Sequence, residues 1–327
     1  MNGSSSHLDG PLLRLVSSRC SVLNQLRISI RLSSRVSKSM NGRSPLIIDD
    51  VESSFSHLSE FGKEVVGPIA RSIRERVLLF AAVHSWPTVK HDKFVAWAQT
   101  QMKKDECWLV LDPLFPLRSD GRTMQPVRFT RVASSDGWRL DSEFDSTLRE
   151  FVAGRSVSVL DDVAASGLTL RHSAGLVERS QGRVSRILVC ASADAGRTAI
   201  LQSTPTSDWT QFVPGDFTTV HLRDACPGLP FAGRRIRERD FVDTDFGRVG
   251  VSAPVTAFRG GPWSQLTLDS NLTHTIASAR RLLTQRLSEA LGRRAIVADI
   301  RLLGPSVNVP LKPGQVAAAE TPLESLH

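Results

Sequence analysis

The sequence predicts an α/β fold with a twisted, mainly parallel sheet and flanking helices, and three features carry that prediction. Short apolar runs recur along the chain, among them 108–112, 157–160 and 186–192. Stretches with apolar residues at helical spacing separate these runs. The 41% hydrophobic content fits a globular protein with a packed core. Because strands that alternate with helices form parallel sheets, we expect an α/β architecture.

The first 44 residues are set apart by their composition. They are rich in Ser and Arg, and Asp9 is their only acidic residue. This composition is typical of an organelle transit peptide, and it fits equally well an extension ahead of a start at Met40. We therefore expect 1–44 to be disordered and exclude it from the fold. We expect a cytoplasmic protein, with organelle import if the segment is a genuine transit peptide.

The segment 45–105 is expected to be a helical layer. Two apolar stripes at helical spacing predict two helices between residues 54 and 104. The α/β core should then span 106–250. Its strands are expected at 108–112, 126–132, 157–160, 186–192 and 217–222, with one helix over 142–152 and another from residue 171.

The segment 251–311 is expected to form a C-terminal helix and strand subdomain. An amphipathic pattern over 265–292 predicts a helix that ends at Gly292, and the apolar run 295–303 predicts a strand. The tail 312–327 is polar and contains proline, so we expect it to be disordered.

One predicted strand end has the composition of a ligand site. Asp161 and Asp162 follow the apolar run 157–160, and a loop of small and hydroxylated residues leads from them into a helix. Backbone N–H groups at a helix N-terminus bind phosphate, with the helix dipole adding to the attraction. Carboxylates accept hydrogen bonds from a vicinal diol. The pattern thus predicts a sugar-phosphate site; the alternative is an ordinary βα loop that happens to contain Asp-Asp.

The segment 157–170 resembles the ribose-5-phosphate-binding signature of the type I phosphoribosyltransferases. That signature has mostly apolar strand residues, an acidic pair, two apolar residues and a Thr/Ser-Gly-x-Thr loop. Ser158 and Ala164 depart from it, since larger apolar residues are usual at both positions. The resemblance extends over 106–224, and the order of elements is similar to the hypoxanthine–guanine branch.

The resemblance implies a glycosyltransferase of nucleotide metabolism. It would transfer phosphoribosyl from 5-phosphoribosyl 1-diphosphate to a nitrogenous base or related acceptor, with Mg²⁺ as cofactor. Asp161 and Asp162 would be the catalytic and metal-binding pair, holding the ribose hydroxyls directly or through the waters of the metal. The 5′-phosphate loop would comprise Val163, Ala164, Ala165, Ser166, Gly167, Leu168 and Thr169. We expect Gly167→Val to abolish phosphate binding at a modest cost in stability, because the position lies in a loop.

The segment expected to bind diphosphate departs from the family. Members usually have a loop there, often Gly-rich, that leads into a helix, whereas 112–123 contains two prolines and little helical periodicity. This segment is either a diphosphate site built from arginines or a solvated basic loop. The arginine candidates are Arg118, Arg122, Arg128 and Arg131. The acceptor candidates, chosen by position alone, are Phe217, Leu222, Asp224 and Phe231. Each of these four, taken singly, is explained more simply as a turn residue.

Composition bears on the remaining functional classes. The net charge of +8 is spread along the chain, so a nucleic-acid partner is not expected. No apolar run approaches the length of a membrane span. The four cysteines lie far apart, which argues against a zinc site or a disulfide framework. A phosphoribosyltransferase fold retained as a non-catalytic sensor or regulator is the second functional hypothesis, and a homodimer is left open.

Overall fold

The described part of the chain has an α/β architecture with largely parallel sheets and flanking helices, as the sequence predicts. The computed structural model describes residues 44–117, 123–134, 137–142, 146–233, 241–253, 270–311 and 315–326. Most of the N-terminal extension 1–44 therefore lies outside the described residues. None of the helices among them combines the length and apolar character needed to cross a bilayer.

The regular elements are named here in chain order. The strands are β1 (Ser44–Asp49), β2 (Thr88–Lys90), β3 (Cys107–Val110), β4 (Thr123–Pro126), β5 (Phe129–Ser134), β6 (Gly137–Ser142), β7 (Ser156–Ala164), β8 (Arg183–Ser192), β9 (Asp208–Gln211), β10 (Phe217–His221), β11 (Phe241–Val242), β12 (Val249–Ser252) and β13 (Asn308–Pro310). The α-helices are α1 (Val51–Ser54), α2 (Glu60–Val83), α3 (His91–Gln101), α4 (Ser146–Val152), α5 (Leu168–Arg179), α6 (Asp194–Ser203) and α7 (Ser270–Leu291). Shorter 3-10 helices lie at Phe55–His57, Leu222–Ala225, Val297–Leu302 and Leu323–Leu326.

The main sheet is parallel and has the order β4-β3-β7-β8-β9. Its strands are covered on both faces, which explains why they read as continuous apolar runs. Val157 and Val159 pack in a cluster with residues of α4, α5 and α6. Leu160 and Leu188 pack in another cluster with Phe94 of α3. The central strand β7 is thereby held rigidly, with its acidic pair near its carboxyl end.

A second parallel sheet has the order β10-β1-β2. Leu46, Ile47 and Ile48 of β1 are fully buried, because β1 lies between two strands. This sheet corrects the expectation that 45–105 is purely helical. The predicted strand over 217–222 does form, as β10, but it pairs with β1 and belongs to this second sheet.

The N-terminal and C-terminal helices share one apolar core. Ile69 and Ile73 of α2 lie in the same buried cluster as Ile276 and Leu283 of α7. As predicted, α7 ends before Gly292, whose φ of 63° stops the helix. Residues 265–269 of the predicted helix lie outside the described residues.

Two C-terminal expectations are wrong. The segment 295–303, expected to be a strand, forms the 3-10 helix Val297–Leu302, at whose start the Asp299 carboxylate accepts a hydrogen bond from the Ile296 N–H at 2.8 Å. The tail, expected to be disordered, is structured over 315–326. Its residues Leu323 and Leu326 are each only 3% exposed, because they pack in the same apolar cluster as α2 and α7.

Element boundaries in the middle of the chain also shift. The strand expected over 126–132 is divided between β4, which ends at Pro126, and β5, which begins at Phe129. β5 pairs with β6 in an antiparallel hairpin separate from the main sheet. The helix expected from residue 142 begins at Ser146.

Candidate functional site

Charged side chains meet where strands from the two parallel sheets end. Asp50 directly follows β1, and Asp162 lies near the carboxyl end of β7. His221 ends β10, and Arg223 follows in the 3-10 helix Leu222–Ala225. Ligands of open α/β sheets bind beyond the carboxyl ends of the strands. The charged cluster therefore lies at the edge where a ligand site is expected.

Arg223 connects the two acidic strand ends. Its Nη1 lies 2.7 Å from Asp50 Oδ2, and its Nη2 lies 3.2 Å from Asp162 Oδ2. The backbone N–H of Arg223 also donates to Asp50 Oδ1 at 2.8 Å. All three residues are buried, with exposed fractions of 8% or less. The guanidinium of Arg223 is thus a counter-charge that both buried carboxylates share.

His221 completes this cluster. Its Nδ1 lies 2.9 Å from Asp50 Oδ2, and its Nε2 lies 3.7 Å from Asp162 Oδ2. Burial and Arg223 disfavour the charged ring, but the carboxylates of Asp162 and Asp50 outweigh them and raise the pKa of His221. Burial acts against ionisation of Asp162, yet His221 and Arg223 hold the pKa of that carboxyl well below its usual range. The site is therefore a network of fixed charges.

A second buried pair lies at the end of β3. His91 Nε2 lies 2.7 Å from Asp112 Oδ2, and His91 Nδ1 lies 3.0 Å from Ser53 Oγ. The other oxygen of Asp112 accepts a hydrogen bond from the Leu114 N–H at 2.9 Å. Burial lowers the pKa of His91, but the hydrogen bond and charge of Asp112, together with the charges of Asp50 and Asp162, outweigh burial and raise that pKa. Asp112 thus anchors the chain segment that leaves β3.

The junction between β7 and α5 is shorter than the sequence predicts. Val163 and Ala164, expected in the phosphate loop, belong to β7 and pack against the two core clusters of the main sheet. The loop proper is limited to Ala165, Ser166 and Gly167, of which the first two are exposed. The predicted loop 163–169 therefore divides into the end of β7, a loop of three residues and the start of α5.

Gly167 is the residue before α5 and has a φ of 70°. Gly167 itself has no side chain to cap the helix, and the Leu168 N–H donates to Ser166 Oγ at 3.4 Å. The N–H groups of a first helical turn have no carbonyl partner inside the helix. In α5 this turn contains Leu168 and the buried Thr169, and Gly167 alone separates it from the exposed residue Ser166. The junction therefore has the composition and geometry of an anion site.

The two members of the acidic pair have different surroundings. Asp161 Oδ1 accepts a hydrogen bond from the Asp162 N–H at 3.0 Å, and Asp161 is 6% exposed. Asp162, by contrast, faces Arg223 and His221. The negative charge of Asp162 is therefore balanced within the protein, which the sequence pattern did not predict.

The structure brings together one diphosphate candidate and one acceptor candidate. The guanidinium carbon of Arg128 lies 6.0 Å from the ring centroid of Phe231. The ring of His57 meets the same phenyl ring edge-on at 5.3 Å, and burial together with Arg128 lowers the pKa of His57. Arg118 and Arg122 lie outside the described residues. For Arg131 only the backbone, in β5, is described.

Two acceptor candidates do not fit that role. Leu222 is fully buried in the core shared by α2 and α7, so its side chain cannot contact a ligand. Phe217 lies at the first residue of β10, opposite Ser44, and therefore at the far end of that strand from His221. Asp224 is half-buried and accepts a hydrogen bond from the Gly233 N–H at 3.1 Å.

Sequence reasoning missed most of the charged cluster. Asp50 follows an apolar run in the same way that Asp162 does, and this repeated pattern of an apolar run before Asp-Asp was a usable signal. His91, Asp112 and Arg223 had no comparable signal. Among the described residues, no group of three or more His, Cys, Asp and Glu side chains is arranged to hold a metal ion by itself.

Comparisons with known proteins do not assign this chain to a family. A comparison with protein-family models finds no match, and one with curated proteins finds none either. Among solved structures, the chain is similar to adenine phosphoribosyltransferase from Thermoanaerobacter pseudethanolicus ATCC 33223, with 18% sequence identity and a TM-score of 0.29. The match covers 37% of this chain and 78% of the chain of that enzyme. It is also similar to adenine phosphoribosyltransferase from Saccharomyces cerevisiae, with 15% identity, a TM-score of 0.27, and coverage of 37% and 74%. TM-scores this low do not define a fold, so the α/β assignment rests on the sheets themselves.

Proposed function

We propose that this protein binds 5-phosphoribosyl 1-diphosphate at the β7–α5 junction and transfers its phosphoribosyl group to a nitrogenous acceptor. One observation carries the proposal. The N-terminus of α5 follows the short loop 165–167, whose first two residues are exposed, and only Val163 and Ala164 separate this loop from the acidic pair of β7. This arrangement suits a phosphate at the helix and ribose hydroxyls at a carboxylate.

The oxygens of the 5′-phosphate would accept hydrogen bonds from the N–H groups in the first turn of α5 and from the hydroxyl of Ser166. The ribose hydroxyls would donate to Asp161. Asp162, which Arg223 and His221 hold in its ionised form, would provide a fixed negative charge near the sugar.

In the proposed transfer, the bond between C1 of the ribose and the diphosphate oxygen breaks. The diphosphate leaves with both electrons of that bond, and a nitrogen lone pair of the acceptor forms the new bond to C1. Positive charge develops on the ribose, and carboxylates fixed before the reaction stabilise such charge most effectively.

The two carboxylates of the acidic pair, Asp161 and Asp162, suit a magnesium ion that binds together with the diphosphate. Mg²⁺ is commonly held by one or two carboxylates together with substrate phosphates, and its usual ligands are oxygen atoms. Asp161 and Asp162 supply the carboxylates in this proposal. When bound, the ion would neutralise charge on the leaving diphosphate.

Titration calorimetry with ribose 5-phosphate, and with 5-phosphoribosyl 1-diphosphate and Mg²⁺, tests the binding step. Ser166→Glu places a negative charge in the exposed loop and should weaken binding of both ligands by at least about tenfold, the equivalent of about 1.4 kcal/mol. Ser146→Glu is the matched control, because Ser146 is also exposed at the start of a helix. Equal affinities in the Ser166→Glu variant and the control would contradict the proposal. Asp162→Asn is a poor test, because it removes a counter-charge of Arg223.

The second candidate is a sensor or regulator that binds the same ligand without transfer. The segment leaving β3 favours it, since Asp112 there is already occupied by His91 and by the Leu114 N–H. A screen for diphosphate release across purine and pyrimidine bases separates the two candidates. Release with any base supports transfer, whereas tight binding without release for every base supports the sensor.

A further inference from the structure

A cleft lies between α7, the segment that follows β10, and the strands β12 and β13, and its empty volume of about 360 Å³ includes space open to solvent. Its walls are mainly apolar, with Ala225, Pro227, Ile276 and Pro310 among the lining residues. Pockets that bind small molecules are typically apolar with a few polar groups.

Arg280 of α7 lines this cleft and has an unusual environment. The residue is only 8% exposed, and its Nε and Nη1 atoms are excluded from solvent. Neither atom has a hydrogen-bond partner among the described residues. Burial and the neighbouring Arg281 both lower the pKa of Arg280, and no described carboxylate acts against them.

A buried guanidinium without a counter-charge is costly, because both its charge and its N–H groups lose their water. Elsewhere in this chain the cost is met: Arg223 is as deeply buried, but it faces the carboxylates of Asp50 and Asp162. Arg280 therefore places a positive charge without a described counter-charge at the wall of this cleft.

We propose that this cleft binds a small organic carboxylate, with the carboxylate on Arg280 and a short apolar body against Ile276 and Pro310. A guanidinium binds a planar carboxylate through two parallel hydrogen bonds. The apolar lining favours an organic acid over inorganic phosphate, which would have to give up its hydration without an equivalent set of donors. Ser252 and Asn308 are polar residues that also line the cleft. The proposal does not depend on the proposed function at the β7–α5 junction.

Titration of the full chain with acetate, propionate, butyrate and benzoate, at constant ionic strength, tests the proposal. Saturable binding is expected, with affinity rising about fourfold for each added methylene that the cleft buries. Arg280→Met keeps the length of the side chain and removes its charge, so binding should be lost. Arg281→Met is the matched control, because Arg281 is the adjacent, exposed arginine of the same helix, and it should bind as the wild type does.

A second variant guards against a folding defect in Arg280→Met. Asn308→Asp has nearly the same shape and places a negative charge in the cleft wall, so it should weaken carboxylate binding by at least about tenfold, or about 1.4 kcal/mol. No saturable binding of any carboxylate by the wild type, or unchanged binding by both Arg280→Met and Asn308→Asp, would overturn the proposal. Phosphate binding more tightly than butyrate at the same site would overturn the assignment to an organic acid.

Discussion

Arg223 Nη1 lies 2.7 Å from Asp50 Oδ2, and this contact connects the end of β1 to the first residues beyond β10. The same guanidinium reaches Asp162 of β7 in the main sheet. The two parallel sheets are therefore joined at their carboxyl edges by one cation between two carboxylates.

Replacement of Arg223 by Met is expected to destabilise the protein by about 3–5 kcal/mol, because the two buried carboxylates of Asp50 and Asp162 must then share the single positive charge of His221. Urea unfolding followed by circular dichroism measures this change. Arg197→Met is the control, since Arg197 is exposed on α6, and it should change stability by no more than about 0.5 kcal/mol. An equally small change for Arg223→Met would show that the contact is not structurally important.

The pair of His91 and Asp112 predicts a loss of stability on the alkaline side. Asp112 raises the pKa of His91 in the folded protein, so its charged form is stabilised by folding. That contribution is fully present below the unfolded pKa of about 6.5 and is lost as the pH rises through the folded value.

His91→Gln should therefore reduce the fall of the urea midpoint as the pH rises above the unfolded pKa of about 6.5. His274→Gln, at an exposed position of α7, is the control and should leave the wild-type dependence intact. Identical profiles for His91→Gln and the wild type would contradict the assignment. On the acid side, the lowered pKa values of Asp50 and Asp162 predict a separate loss of stability as the pH falls below about 4.

The sequence predicted the β7–α5 junction because all of its signals are local. The apolar run, the acidic pair, the glycine and the start of the helix are adjacent in the chain, and each has a known structural preference. The partners of Asp162 could not be predicted in this way. His221 and Arg223 reach it only because β10 pairs with β1, and β1 begins where the excluded N-terminal segment ends.

The 3-10 helix Val297–Leu302 illustrates a different limit. Its apolar residues form a run without a clear period, and such a run does not distinguish a strand from a buried helical turn. Asp299 favours the 3-10 helix over a strand. Its carboxylate accepts hydrogen bonds from the Ile296 N–H and from the guanidinium of Arg293. Hydrogen bonds between residues close in the chain therefore determine a helical turn where the apolar run predicts a strand.

Gly167→Ala should be much more destabilising than its loop position suggests, contrary to the modest cost expected from the sequence. A Cβ at Gly167 would lie 2.7 Å from the carbonyl oxygen of Gly196 and 2.9 Å from Ile200 Cγ1, both in α6. Gly154 has nearly the same φ, 68°, but a Cβ there would meet nothing within 4 Å.

Gly154→Ala is thus a matched control for backbone strain, and it should cost about 1–2 kcal/mol. Gly167→Ala should cost about 1–3 kcal/mol more, because α6 must also move away from the loop. The measurement is again the free energy of unfolding in urea. Equal losses in the two variants would show that contact with α6 does not constrain the loop between β7 and α5.

Arg128 provides the sharpest test of transfer itself. It is the diphosphate candidate whose side chain the structure describes, and it lies over the ring of the acceptor candidate Phe231. If transfer occurs here, the negative charge that develops on the leaving diphosphate must be met by cations, and loss of one such group typically lowers the rate about 10²–10³-fold.

Arg128→Met should therefore slow diphosphate release by about that factor, with a smaller effect on the affinity for ribose 5-phosphate, which has no diphosphate. The matched control is Arg155→Met. Arg155 is exposed and likewise stacks on an aromatic ring, with its guanidinium carbon 5.7 Å from the centroid of Phe151. Comparable turnover numbers for Arg128→Met and Arg155→Met would remove Arg128 from the leaving-group site. A parallel loss of ribose 5-phosphate binding and of release would instead place Arg128 at the sugar phosphate, because only an interaction specific to the transition state lowers the rate without lowering ground-state affinity.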